Sequence, residues 1–132
     1  MISLDTSVLV RLLTNDDPRQ AQKARAALDQ AILDQHRIWV SLVVACELVW
    51  VLQCLYGYEK AQISVALNAL LKFPALEMEN PKAIKRVLDE LGRSSSDFAD
   101  TLLGILSTDN GAAHVLTFDK KAAKLNTHKL LA

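Results

Sequence analysis

Apolar positions along this chain fall into two kinds of run: short continuous blocks, and longer stretches in which they recur at helical spacing. The blocks ISL at 2–4, IWV at 38–40, LEM at 76–78 and HVLTF at 114–118 predict strands, and HKLL at 128–131 predicts a last extended piece at a sheet edge. Between them SVLVRLL predicts a short helix. After the turn NDDP, the segment RQAQKARAALDQAIL predicts a second helix, with Ala21, Ala24, Leu28, Ala31 and Ile32 forming one apolar stripe. A third helix, from about Leu42 to Leu55, is apolar nearly all round and is expected to be buried, with Ser41 as its N-cap and Gly57 near its end. EKAQISVALNALLKF predicts a fourth, stopped by Pro74. In NPKAIKRVLDELG, Asn80 fits an N-cap, Pro81 the first turn and Gly92 the residue past the end. One more helix opens near Asp97, and another is expected from Lys120.

No repeat, linker or low-complexity segment interrupts this alternation, so the expected class is α/β, with a short parallel sheet flanked by helices on both faces. A chain of 132 residues is of ordinary size for one domain, and a single domain over 1–132 is expected. The stretch at 38–55 is long and apolar enough to raise the question of a membrane span. Glu47 at its centre, with Ser41 and Gln53 around it, favours a buried helix instead, and no membrane contact is expected.

Charge changes the picture little. Lys plus Arg equals Asp plus Glu at 15 each, which excludes a broad basic field for polyanions and leaves only a local patch. Cys46 and Cys54 stand at no metal-ligand spacing, and MISLDTS lacks the basic and apolar regions of a secretion signal, so a cytoplasmic location is expected.

The acids change it more. Asp5 follows the first strand directly, Glu47 lies inside the apolar helix, Asp97 and Asp100 open a helix in SSSDFADTLLG, and Asp119 follows HVLTF. In an open parallel sheet, strand ends and helix starts form the crevice where ligands bind, so acids distant in sequence can converge there. Gathered carboxylates stay ionised together only when a cation offsets their repulsion, and hard oxygen ligands select Mg²⁺ or Mn²⁺. Such an ion activates water and neutralises charge on a phosphodiester. Each acid also has a plainer role open to it. Asp5, Asp97 and Asp119 suit N-caps, Asp100 suits the first turn of a helix, and Glu47, if buried, needs a metal or a basic partner such as Arg11 or Arg37.

LDTSVL, the Glu within an apolar helix near 47, DFADTLLG near 100 and VLTFDKKAAKL near 119 together resemble the PilT N-terminus (PIN) nuclease domain, and in order and spacing the small VapC-type toxins of toxin–antitoxin pairs. The resemblance covers essentially the whole chain. It implies a three-layer sandwich around a short parallel sheet, a magnesium-dependent endoribonuclease that leaves 5′-phosphate and 3′-hydroxyl ends, a homodimer, and inhibition by a cognate antitoxin. Carried over, it assigns Asp5, Glu47, Asp100 and Asp119 to the catalytic metal site, which holds Mg²⁺ or Mn²⁺. Ser7 matches the small polar residue two after the first Asp, and Ser7, Asp97 and Thr117 are expected to support the four acids.

Lys120, Lys121, Lys124 and Lys129 beside Asp119 form either a phosphate-steering patch for an RNA substrate or a solvated face. Trp39, Trp50, Tyr56 and Tyr58 cluster near the third helix and read as core or dimer contacts. A phosphatase of the haloacid dehalogenase type is disfavoured, because it needs a second Asp where this chain has Ser7. A PIN-like module that binds RNA or protein without catalysis is the other alternative.

Overall fold

Three short parallel strands organise the first part of the chain. A computed structural model describes residues Met1–Ala132, which divide into two compact units, Met1–Glu79 and Asn80–Ala132. The first unit contains, in order, β1 (Ile2–Ser3), α1 (Thr6–Leu13), α2 (Pro18–Leu33), β2 (Ile38–Val40), α3 (Leu42–Tyr56), α4 (Lys60–Lys72) and β3 (Leu76–Met78). Its sheet has the order β1-β2-β3, with Ile2 opposite Ile38, Ser3 opposite Trp39 and Val40 opposite Met78. Each strand reaches its parallel neighbour through two helices, as a parallel pairing requires. Ile38 and Val40 point to one face and are fully buried. Leu9 of α1, Leu48 and Leu52 of α3, and Ile63 and Leu67 of α4 are also fully buried, and each such side chain contributes about 1.5–3 kcal/mol of burial.

Local chemistry fixes where the helices start. Asp17 caps α2 by accepting the Gln20 amide at 3.0 Å, and Pro18 takes the first position. Ser41 caps α3 by accepting the Val44 amide at 3.1 Å, and the Glu79 carboxylate takes the Leu42 amide at 2.8 Å, so two orphan donors of that helix are satisfied. Gly57, at φ 66°, supplies the left-handed residue that ends α3.

The second unit contains α5 (Pro81–Leu91), α6 (Phe98–Asp109), β4 (Val115–Thr117), a 3₁₀ turn (Ala122–Lys124) and β5 (His128–Leu130). β4 and β5 pair in parallel, with Val115 opposite His128 and Thr117 opposite Leu130. Ile84 and Val87 of α5 pack with Phe98 and Leu102 of α6 as a buried apolar set. Arg86 donates to both oxygens of Asp109 at 3.0 and 2.9 Å and ties the two helices at their surface.

The α/β class and the parallel pairing agree with the sequence. Three expectations need correction. The helix from Lys120 is only the 3₁₀ turn at 122–124, since the apolar positions of KKAAKL are too few to bury a longer helical face. The α2 stripe is narrower than expected: Ala21, Leu28 and Ala31 are buried, Ala24 is half-buried and Ile32 is exposed. The third correction is α3, which is not buried all round. Val44, Ala45, Leu48, Val49 and Leu52 form its inner face, while Val43, Glu47, Trp50 and Leu55 are exposed, Val43 and Trp50 to 69% and 61%. No helix is long and apolar enough to cross a membrane.

Candidate functional site

The first unit carries Asp5, Ser7 and Glu47. Asp5 is set by β1, whose edge is tied to β2 by the Ile2 amide on the Arg37 carbonyl at 2.7 Å and the Leu4 amide on the Trp39 carbonyl at 3.0 Å. Its Oδ1 accepts the Thr6 amide at 2.8 Å and so caps α1, while the side chain stays exposed and keeps Oδ2 available. Beside it the hydroxyl of Thr6 is buried with no hydrogen-bond partner. Ser7 is exposed and lines a cavity of about 450 Å³ between the edge of the sheet, α1 and α2, with Val8, Arg11, Ala24, Leu28 and Ile38.

Glu47 is exposed, which overturns the expectation of a buried carboxylate needing compensation. The cause is visible in the helix. The inner face is filled by Val44, Ala45, Leu48, Val49 and Leu52, and Glu47 falls on the outward stripe with Val43 and Trp50. Neither expected basic partner reaches it. Arg37 makes a bidentate pair with Glu77 at 2.8 and 2.6 Å, and Arg11 bonds Gln20 at 2.6 Å and Asp16 at 3.3 Å. Asp16 is held below the ordinary carboxylate range, first by the hydroxyl of Tyr56 and then by that of Thr14. The place of Glu47 in a functional set therefore rests on its position in the sequence motif and not on the cost of burial.

The second unit carries Asp97, Asp100, Thr117 and Asp119. Asp97 is the N-cap of α6, with Oδ2 accepting the Asp100 amide at 3.3 Å. Asp100 lies in the first turn, partly buried, and none of its oxygens is committed to a hydrogen bond with the chain. Burial holds its carboxyl above the usual range, and the charges of Asp97 and Asp119 push it further, with His128 and Lys121 acting in the opposite direction. Thr117 supports Asp119 directly by accepting its amide on Oγ1 at 3.0 Å. Asp119 in turn takes the amides of Lys121 and Ala122 on Oδ1 at 2.8 and 3.3 Å, which nucleates the 3₁₀ turn.

A common arrangement runs through these side chains. Asp5 and Asp119 each spend Oδ1 on backbone N–H groups and keep Oδ2, and Asp97 spends Oδ2 and keeps Oδ1. Capping and metal ligation are thus compatible uses of one carboxylate, and the cap fixes the rotamer that a ligand needs.

The donor chemistry fits a hard divalent cation. Within the second unit burial, and after it the charges of Asp97 and Asp119, raise the Asp100 carboxyl, and a cation would offset both. As they stand, no three such side chains form a group close enough to hold a metal ion.

His128 stands apart from the other histidines, His36 and His114, in the sequence. In the structure it is buried, with Nδ1 2.8 Å from the Thr127 hydroxyl and Nε2 lacking any partner. Only its start of an apolar extended piece, HKLL, marked it in the sequence.

No curated protein matches the chain. Its α/β elements, its acidic residues after β1 and β4 and at the start of α6, and a family match to the PIN domain over residues 2–127 agree. The chain belongs to the PIN domain family, a nuclease-type fold whose members generally hydrolyse nucleic acid with divalent metals.

Proposed function

We propose that the chain is a single PIN nuclease domain spanning 1–132, a Mg²⁺-dependent endoribonuclease that serves as the toxin of a toxin–antitoxin pair. The observation that carries the reading is the family match over residues 2–127 together with Asp100, a carboxylate kept free of internal hydrogen bonds among other acids. Asp5, Glu47, Asp100 and Asp119 are the proposed ligands of Mg²⁺ or Mn²⁺, with Ser7, Asp97 and Thr117 supporting them. When bound, a divalent ion supplies a water of lowered pKa and offsets charge on the phosphodiester.

The chain's own groups do the rest. Asp5 and Asp119 present one oxygen each from rotamers fixed by backbone N–H groups. Asp97 fixes the first turn of α6 and so the direction in which Asp100 leaves the helix. Lys121, whose charge acts on Asp100, is the proposed contact for a phosphate drawn to the same acids. The cognate antitoxin protein and a homodimer belong to the same reading, with the exposed Val43 and Trp50 of α3 as surface for a protein partner, and the cytoplasm is the proposed location.

The test is cleavage of total cellular RNA by the purified protein with Mg²⁺, with chelator, and with Asp100→Asn checked for folding by circular dichroism. Cutting by the wild type with metal alone, leaving 5′-phosphate ends, is the expected result. Ends bearing 2′,3′-cyclic phosphate would refute it, because the ribose hydroxyl would then be the nucleophile. Growth arrest on induction, relieved by co-expression of the antitoxin, tests the toxin role.

A further inference from the structure

The face of α6 that carries Asp100 also carries Gly104, one helical turn further on. That glycine is where the segment 127–128 comes closest to the helix. A Cβ at position 104 would lie 2.2 Å from Thr127 Oγ1, 2.8 Å from Thr127 Cβ and 3.2 Å from His128 Cε1. Thr127 therefore occupies the space that a side chain at 104 would fill, with the edge of the His128 ring beside it. Side chains on a helix lean toward its N-terminus, so this space is contiguous with that of Asp100. Through-space coupling between His128 and Asp100 agrees with that placement.

The ring is poised and incompletely used. It is 8% exposed, Nδ1 is engaged by the Thr127 hydroxyl at 2.8 Å, and Nε2 is buried without a partner. In the tautomer whose Nδ1 accepts from the Thr127 hydroxyl, the proton is on Nε2, and a buried N–H needs an acceptor. Asp100 is a carboxylate with uncommitted oxygens on the adjoining turn.

We propose that His128 is a positioning residue for Asp100: oriented by Thr127, its Nε2–H, unpartnered in this structure, is the donor that the Asp100 carboxylate takes up when it holds a divalent cation, and so fixes which oxygen turns to the ion. This rests on the reading of Asp100 as a metal ligand. It assigns Gly104 a purpose as well, since only a residue without a side chain lets Thr127, and with it the ring of His128, lie against α6. Groups that orient a metal ligand from behind are typically worth about 10–100-fold in metal affinity.

Mn²⁺ binding, titrated by water-proton relaxation on the wild type and on Asp100→Asn, His128→Phe, His128→Gln and Thr127→Val, tests the proposal, with each variant's fold checked by thermal melting. His128→Phe keeps the ring and loses the donor, and is expected to weaken Mn²⁺ about 10–100-fold. His128→Gln keeps an N–H at the ε position and is expected to stay within a few-fold of wild type. A residue that merely fills space gives the reverse order, with Phe tolerated and Gln not, and that order overturns the proposal. Should His128→Phe fail to fold, Thr127→Val decides: a several-fold loss of affinity in a folded protein supports the orienting role, and unchanged affinity overturns it. Wild-type affinity in Asp100→Asn would instead refute the metal role of Asp100 itself, an outcome distinct from the failure of His128.

Discussion

Gly104→Ala isolates the close approach between α6 and the Thr127–His128 segment. In an open helix interior the change would stabilise the protein by about 1 kcal/mol, because alanine has less backbone freedom to lose. Here the new methyl meets Thr127 Oγ1 at 2.2 Å and Thr127 Cβ at 2.8 Å. A hydroxyl can rotate aside, but the Cβ position is set by the backbone, so the segment must withdraw from the helix by more than half an ångström, roughly, to restore ordinary contact. Overpacking of this kind costs about 1–3 kcal/mol, and a backbone obstruction belongs at the upper end. The net expectation is destabilisation by about 2 kcal/mol, against the helix propensity. Urea denaturation followed by circular dichroism measures it, and combining the change with Thr127→Gly, which removes both obstructing atoms, completes a double-mutant cycle. The two changes should couple favourably, with the double variant less damaged than the sum of the singles. A neutral or stabilising Gly104→Ala would refute the reasoning, since the segment would then be loose enough to move away at no cost.

Three further outcomes are expected. Asp100→Asn should raise thermal stability at neutral pH, because the native carboxyl sits above its ordinary range and its ionised form is disfavoured by burial and by Asp97 and Asp119. The sign follows: a raised acid favours the fold below its unfolded-state pKa and loses that contribution as pH rises, so the gain should shrink as melts are run from pH 7.5 down through the carboxylate range; a gain that persists or grows in acid would contradict the assignment. Tyr56→Phe should return Asp16 toward the ordinary carboxylate range, read by ¹³C-detected NMR titration of the carboxyl, and an unmoved midpoint would show that the Tyr56 hydroxyl is not its main support. On α3, Leu48→Ala should cost about 2–5 kcal/mol while Leu55→Ala changes stability by no more than about 0.5 kcal/mol, and comparable losses from both would contradict the orientation that leaves Glu47 exposed.

Caps and punctuation made much of the fold readable. Ser41, Asn80 and Asp97 cap the helices they were expected to cap, and Gly57 ends α3 in the left-handed conformation. Strand blocks IWV and LEM lie at their expected residues, because short apolar runs between turn residues have few other uses. The failures share a physical cause. Periodicity reports which residues are apolar, not which of them find a partner, so a helix as uniformly apolar as α3 could not reveal that Val43, Glu47 and Trp50 face outward. The helix expected from Lys120 rests on the N-cap chemistry of Asp119, whose Oδ1 does take the Lys121 and Ala122 amides, but only a single 3₁₀ turn with Lys121 at its N-cap follows. The acids were legible as types in context, whereas His128 was not: nothing near it in sequence announces the glycine on α6 that makes room for it.

The division of the chain also bears on how the protein is made. Residues Met1–Glu79 form one compact unit that includes the whole β1-β2-β3 sheet, so in N-to-C synthesis this unit is the first to emerge from the ribosome. Of the four carboxylates proposed to act together, Asp5 and Glu47 emerge with it, and Asp100 and Asp119 emerge later. A growing chain folded this far carries half of its proposed ligands. For an enzyme proposed to cut the RNA of the cell that synthesises it, translation order is itself a safeguard: the messenger being read is out of danger from its own product until residue 119 has left the ribosome.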